Sequence, residues 1–403
     1  MIQQAADGLQ NPGGIGTPGK PPPSYRSNRK QGARSMTLAI LGLGTAVPPH
    51  AITQARAAEV AGIVCCRTAE HAAVVPALYR HTGIETRHMV FGDAVVRDVL
   101  GGTAETGSAF LPAGTADDHG PSTGSRMEHY VAEAGPLAAR AAAEALDQAG
   151  VAANAVTHLV TVSCTGFAAP GVDVGLIKGL HLPATVERSH IGFMGCHGAV
   201  NGLRVARAFT GADDAACVLL CAVELCSLHY HYGWDPKKMV ANALFADGAA
   251  AVVGVSAAAA PAQAWQVAAT ASCLFPDSEH AMTWHIGDHG FEMTLSTRVP
   301  SLIGQRLRPW LAHWLGQNGL VLGEVGSWAV HPGGPRILSA VEESLGLERG
   351  ALAVSREVLA ACGNMSSPTL LFIIERLRRR QARLPCVALG FGPGLVAEAA
   401  LLV

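Results

Sequence analysis

With 403 residues, 49% of them hydrophobic and only 15% charged, the chain has apolar content enough for a deep core and too little charge for a disordered protein. A formal net charge of −2 gives no basis for nucleic-acid binding, and no apolar run is long enough for stable membrane insertion. Ten cysteines without a CxxC pair or zinc spacing, two of them the adjacent Cys65 and Cys66, read as reduced thiols; with no signal-peptide core, the expectation is a cytoplasmic protein.

Residues 1–35, rich in Gly, Pro, Gln and Ser, read as a flexible N-terminal extension. Thr37–Val47 predicts a strand, followed by helical runs over Gln54–Cys66 and Glu70–His81 and a strand over Ile84–Phe91. Gly92–Gly124 reads as a long Gly/Asp-rich loop. Met127–Gln148 predicts an Ala-rich amphipathic helix with Gly150 as its stop. Thr157–Cys164 is a buried strand, and another apolar run ends near Phe193 ahead of a helical stretch through Leu203–Phe209. Ala215–Leu225 and Met239–Leu244 follow as buried strand and helix. The second half repeats the grammar: strands at Trp265–Cys273 and Phe291–Thr297, a helix at Leu302–Leu315, strands at Trp328–His331, Val387–Phe391 and Leu395–Val403. Alternation of this kind predicts an α/β fold. The basic run Arg376, Arg378, Arg379, Arg380 reads as a solvated helix end.

Three loop-end residues suggest chemistry. Cys196 lies in Ile191-Gly192-Phe193-Met194-Gly195-Cys196-His197-Gly198-Ala199 at a strand-to-helix junction, where unpaired N–H groups would favour a thiolate; a buried packing cysteine is the plain alternative. His331 ends a short strand at His331-Pro332-Gly333-Gly334-Pro335. Asn364 lies in Gly363-Asn364-Met365-Ser366-Ser367, with Ser367 expected as N-cap and Pro368 as first residue of the next helix. Cys, His and Asn so placed suit a nucleophile, its base and an oxyanion donor. His197 should point about 100° away from the site.

These motifs, with Gly390-Phe391-Gly392-Pro393-Gly394, resemble the type III polyketide synthases, the chalcone synthase-like branch of the thiolase-fold condensing enzymes. The resemblance runs from about Thr37 to the C-terminus. It implies a thiolase-like five-layer αβαβα fold of two similar halves, residues 36–260 with the nucleophile and 261–403 with His and Asn. It implies an acyltransferase that loads an acyl-CoA on Cys196, extends it with malonyl-CoA by decarboxylative Claisen condensation and cyclises the product, as a homodimer, with no metal and no redox cofactor. By matching position Phe245 is a gate aromatic, and Cys164, Thr165 and His229 line the cavity, although each also reads as ordinary packing. Met293 stands where a second gate aromatic is expected and Trp284 where the plant enzymes have glycine; both departures resemble the bacterial branch. Arg80 and Arg87 are the nearest candidates for binding coenzyme A. A His229/His231/His285 metal site lacks an accompanying carboxylate or Cys at ligand spacing.

The expected product is an alkylpyrone or alkylresorcinol from a fatty acyl starter, with tetrahydroxynaphthalene from malonyl-CoA alone as the alternative. A β-ketoacyl-acyl-carrier-protein synthase III shares Cys, His and Asn, but fits HPGGP and GNMSS less well. A non-catalytic thiolase-fold binding subunit is the reading from outside enzymology, and the presence of all three chemical residues counts against it.

Overall fold

The protein, represented by a computed structural model, is described over residues 37–115 and 117–403; the extension expected over residues 1–35 lies outside the described residues. In chain order the elements are β1 (Leu38–Ala46), β2 (His50–Thr53), α1 (Gln54–Cys65), α2 (Ala69–Arg80), β3 (Thr86–Met89), α3 (Asp93–Gly101), α4 (Thr123–Ala149), β4 (His158–Ser163), α5 (Val172–Leu180), β5 (Glu187–Gly192), α6 (Gly198–Ala212), β6 (Cys217–Leu225), α7 (Pro236–Leu244) and β7 (Asp247–Ser256). They continue with β8 (Gln266–Leu274), β9 (Met282–Gly287), β10 (Gly290–Leu295), α8 (Val299–Gln317), β11 (Ser327–Val330), α9 (Pro335–Leu345), α10 (Ala353–Cys362), α11 (Ser367–Arg379), β12 (Cys386–Gly392) and β13 (Val396–Leu402).

The strands order as β11-β12-β13-β8-β1-β7-β6-β4-β5 among the described residues. The two halves of this array meet only where β1 pairs with β8, at Leu38↔Val267 and Ala39↔Gln266. Alternate faces then sort the core into layers. Leu159, Leu219 and Val253 on one side of the first half pack with Ala138, Ala141 and Leu176 of α4 and α5. Val160, Leu220 and Val252 on its other side share a cluster with Leu203 of α6, Leu371 of α11, and Ala388 and Ala400 of the second half. Beyond the second half, Leu389 and Ala399 pack on Leu307 of α8 and Val341 of α9. Helix, sheet, helix, sheet, helix is the five-layer αβαβα order. Because α4 covers one of its faces and α6 and α11 the other, β6 has no solvent face, and every one of its residues is buried.

Close approach fixes the outer layer. A Cβ at Gly44 would stand 2.2 Å from the carbonyl oxygen of Ala141, so only glycine lets β1 lie directly against α4. That helix ends as expected at Gly150, left-handed at φ 62°.

Several expectations need correction. The supposed loop 92–124 contains α3, whose Val96 and Val99 are buried; its end is tied by the Asp98 carboxylate, which accepts from the hydroxyls of Thr103 and Thr106 at 2.5 and 2.6 Å. Helices α5, α9 and α10 and strand β9 were not foreseen. At the head of α11 the N-cap is Ser366, in the left-handed region at φ 56°, while the hydroxyl of Ser367 is committed elsewhere. The run of arginines is only partly solvated, since Arg378 Nη2 donates to the carbonyl of Ile40.

Candidate active site

The turn carrying Cys196 is shaped before its chemistry. After β5, Phe193 is left-handed at φ 59° and Gly195 at φ 70°, and Cys196 sits in a short 3-10 turn, Gly195–His197, that runs into α6. A Cβ at Gly195 would come within 2.4 Å of Pro393 Cδ; the Gly390–Gly394 segment therefore packs directly on the nucleophile turn. His197 Nδ1 lies 2.9 Å from Asn201 Oδ1, and since Asn201 donates its amide to Glu398, the imidazole is the donor. This residue turns away from Cys196, as expected, and anchors the turn to β13.

His331 leaves the end of β11 with its N–H on the carbonyl of Leu389 at 2.8 Å. It is 1% exposed, and both ring nitrogens are buried without a protein partner. Asn364 is fixed by its own backbone: its N–H donates to Leu244 and its carbonyl accepts from Ala246, both at 2.9 Å. Its Oδ1 accepts from Ser366 N at 2.9 Å, which leaves the amide NH₂ as the donor available to a ligand. Cys196, His331, Asn364, Phe245 and Met293 line one cavity. An adjoining space is lined by Cys196, Cys164, Thr165, Trp284 and Ser366. Beyond Phe245 and Met293 lies a larger open cleft that also touches His229 and Trp284.

The low thiol pKa expected at a helix start is not found. Burial pushes the Cys196 thiol up to about 12, while hydrogen bonds from Ser366 and Asn364 pull it back. Burial likewise pushes His331 down to about 3, with repulsion from His197 adding to it. Either charge alone is disfavoured in such a site. Moving one proton from Cys196 to His331 creates both charges together and keeps the cavity's net charge unchanged, the form of ionisation a buried site resists least.

Cavity residues divide into walls and donors. His229 Nε2 donates to the carbonyl of Thr165 at 2.7 Å, its Nδ1 accepts from Phe291 N at 2.9 Å, and burial holds it neutral, near 3. With both nitrogens spent and its ring stacked on Phe291 at 4.2 Å, His229 is a wall. Trp284 is another, its Nε1 donating to the carbonyl of Cys164 at 2.8 Å. Cys164 Sγ accepts from Gly195 N at 2.9 Å, linking β4 to the nucleophile turn. Among the described residues no three His, Cys, Asp or Glu side chains converge as a metal site, and His285 lies exposed on β9.

Arg80 and Arg87 are not brought together. Arg80 is exposed at the end of α2 and lines neither the catalytic cavity nor the cleft. Arg87 is 2% exposed, and its Nη1 donates to the carbonyls of Asn242 and Phe245 at 2.7 and 2.8 Å. A guanidinium committed to buried carbonyls cannot reach the phosphates of coenzyme A, so that expectation is corrected for Arg87.

Glu224 was missed. It is wholly buried at the end of β6, where it accepts from Cys164 N at 2.9 Å, Thr165 Oγ1 at 2.8 Å and Ser367 Oγ at 2.8 Å. One carboxylate thus ties the cavity floor to the head of α11. Burial lifts it to about 7 despite those donors. The signal was present: a single acid inside an otherwise apolar strand.

Comparison with known proteins decides the family. The N-terminal domain of chalcone and stilbene synthases matches residues 24–258, and their C-terminal domain matches residues 266–403. The chain belongs to this family. As a chalcone and stilbene synthase relative it is a type III polyketide synthase, an acyltransferase whose five layers are the thiolase-like fold. A 1,3,6,8-tetrahydroxynaphthalene synthase of Streptomyces peucetius is 35% identical to it over 369 residues, 90% of this chain and 92% of that one. Alpha-pyrone synthesis polyketide synthase-like Pks18 of Mycobacterium tuberculosis is 30% identical over 374 residues, 91% of each. The crystal structure of PKS-I from the brown alga Ectocarpus siliculosus matches with a TM-score of 0.82 at 30% identity, over 93% of this chain and 99% of that one.

Proposed function

We propose that this type III polyketide synthase loads a fatty acyl-CoA on Cys196, extends it with malonyl-CoA and releases an alkylpyrone or alkylresorcinol. The carrying observation is that Cys196, His331 and Asn364 share one cavity in which the ring nitrogens of His331 have no protein partner.

Cys196 gives its proton to His331 as the sulfur attacks the thioester carbonyl. The C–S bond to coenzyme A breaks, and the departing thiolate takes the proton back from His331. Malonyl-CoA then binds with its thioester oxygen toward His331 and the Asn364 amide, which stabilise the enolate left when carbon dioxide departs. The enolate carbon attacks the acyl-Cys196 carbonyl and frees the thiolate, which takes up one proton from solvent to restore the thiol for the next cycle. Atoms balance without a metal or redox cofactor. The nucleophile comes from the half spanning residues 36–260 and the two donors from 261–403.

The same reading has the enzyme act in the cytoplasm as a homodimer; no helix among the described residues is long and apolar enough to cross a membrane. Phe167 and Met194, 41% and 38% exposed beside the site, support a covering partner there. Arg80 remains the candidate for contact with coenzyme A.

A second reading, tetrahydroxynaphthalene from malonyl-CoA alone, is favoured by the 35% identical Streptomyces enzyme. Mass spectrometry of products from purified enzyme given malonyl-CoA with and without a starter panel separates them. Starter-dependent alkylpyrones support the proposal; a starter-independent aromatic product overturns it.

A further inference from the structure

His197 follows the nucleophile directly, and no step of the reaction described above uses it. It is 2% exposed and begins a chain of buried polar contacts. Its Nδ1 donates to Asn201 Oδ1 at 2.9 Å, Asn201 Nδ2 donates to Glu398 Oε1 at 3.1 Å, and Glu398 pairs with Arg204, whose Nε donates to Thr270 Oγ1 at 3.2 Å. Positions 197, 201 and 204 recur at helical spacing, which puts the three side chains on one face of α6. The chain thus runs from the nucleophile turn to β13 and ends at a guanidinium that reaches solvent, 35% exposed.

The ring of His197 lies against β12. A Cβ at Gly392 would stand 2.4 Å from its Cδ2 and 2.7 Å from its Nε2, and one at Gly390 would stand 3.2 Å from its Cα; the missing side chains of β12 are what admit the imidazole. Leu389, the residue before Gly390, is the one whose carbonyl accepts from His331 N. The two imidazoles therefore flank one short stretch of strand, and the charge of His197 acts on His331.

Two imidazoles so placed in a buried site resist being charged together, and they are unequal. His331 has no protein partner at either nitrogen, and burial and repulsion from His197 act on it in the same direction. Burial also holds His197 below the ordinary imidazole value, but its bond to Asn201 and the charge of Glu398 pull it back, against Arg204. A proton entering from solvent goes to His197, at Nε2, since Nδ1 already carries one. The other ionisable groups about the turn are Cys196 itself and, toward the inner cavity, Cys164 and Glu224. Strand β12 meets the ring with glycine, and α11 meets the start of α6 with Ser367.

We infer that His197 is a positioning residue for the Cys196–His331 pair: neutral, it anchors the nucleophile turn through Asn201; protonated, it bars His331 from taking the proton of Cys196 and so sets the acid limit of the reaction. The inference rests on the roles given to Cys196 and His331 above and adds the group that governs when they can act.

Iodoacetamide alkylates Cys196 only as the thiol gives up its proton. The rate of that alkylation from pH 5 to pH 8, followed by mass spectrometry of the peptide bearing Cys196, therefore reads the pair directly. In the parent it falls toward acid as His197 takes up its proton. His197→Phe keeps a ring on β12 and removes the charge; the fraction of the pH 8 rate retained at pH 5.5 should rise at least about threefold, the effect of moving the acid limb by about half a pH unit. Asn201→Leu, which takes from His197 the partner that favours its protonation, should move the limb the same way and serves if the phenylalanine variant does not fold. A merely structural role lowers the rate by one factor at every pH. A retained fraction unchanged in folded His197→Phe, or in Asn201→Leu if the former is unfolded, overturns the inference while the pair stands. His331→Gln should slow alkylation throughout the range; if it leaves the parent's curve unchanged, the pairing of Cys196 with His331 falls and this inference with it.

Discussion

The guanidinium of Arg87 donates to the backbone carbonyl of Phe245 at 2.8 Å, and Phe245 forms a bridge with Asn364. The stem of Arg87 also lies against Gly363, where a Cβ would come within 2.9 Å of its Cγ. One buried cation therefore holds the gate residue and the backbone of the amide donor in a single frame. Arg87→Met should leave two buried carbonyls without this donor, at about 1–3 kcal/mol each. Urea unfolding should show a loss of that order, and malonyl-CoA decarboxylation should fall more than acylation of Cys196, because Asn364 is displaced and the nucleophile turn is not.

Cys196→Ala should abolish the acyl-enzyme while leaving the fold intact. The thiol is buried, and its removal deletes one atom and leaves little space to fill. Intact-protein mass spectra after incubation with an acyl-CoA check this, and a starter-sized adduct on the variant refutes the assignment.

Asn364→Ala separates the two halves of the reaction. Removing one oxyanion donor costs ~10²–10³ in rate, and the amide NH₂ bonds only within the site, to the Cys196 thiol. The variant should still acquire a starter on Cys196 while releasing carbon dioxide from malonyl-CoA slower by about that factor.

Glu224 gives a pH dependence with a definite sign. Its folded value, about 7, lies above the ordinary carboxylate value, so the folded chain holds the proton more tightly than the unfolded one. Its contribution to stability is whole below about pH 4.5 and is lost as pH rises towards 7. Replacement by Gln removes the titration. The difference in unfolding free energy between parent and Glu224→Gln should therefore shift against the parent from pH 5 to pH 8, by an amount on the order of 3 kcal/mol; a pH-independent difference contradicts the assignment.

Cys164 lines the inner cavity next to Trp284, so a larger side chain there should act on chain length. In the parent, catalytic efficiency should climb from short to long acyl-CoA starters as each methylene adds about 0.8 kcal/mol of burial. Cys164→Trp should lose long starters first and spare short ones in a steady-state series.

Much of this was legible from residue order alone. The alternating strands and the Ala-rich α4 follow from hydrophobic period and from Gly150, and the motifs around Cys196, His331 and Asn364 are local enough to read directly. What escaped depends on burial, which only the assembled layers set. Arg87 reads as a surface cation until α7 covers it. Cys196 reads as a thiolate at a helix start because the N–H groups are visible in sequence and its desolvation is not. Helix α3 was hidden by the Gly/Asp-rich stretch around it and by its three valines, whose helical face has meaning only against α1. Ser366 in the left-handed region displaces the expected cap because Ser367 is drawn to Glu224, a partner 143 positions away.

The shared middle layer also orders events during synthesis. Cys196 emerges with the first half, but the strand and helix that complete its cavity, β11 with His331 and α11 behind Asn364, are made near the end of the chain, and Phe391 and Pro393 on β12 and the turn after it come later still. A nascent chain therefore carries its nucleophile for about a third of translation, from residue 196 to residue 331 of 403, without a partner base. It cannot begin condensing acyl groups until its last strands close over the thiol.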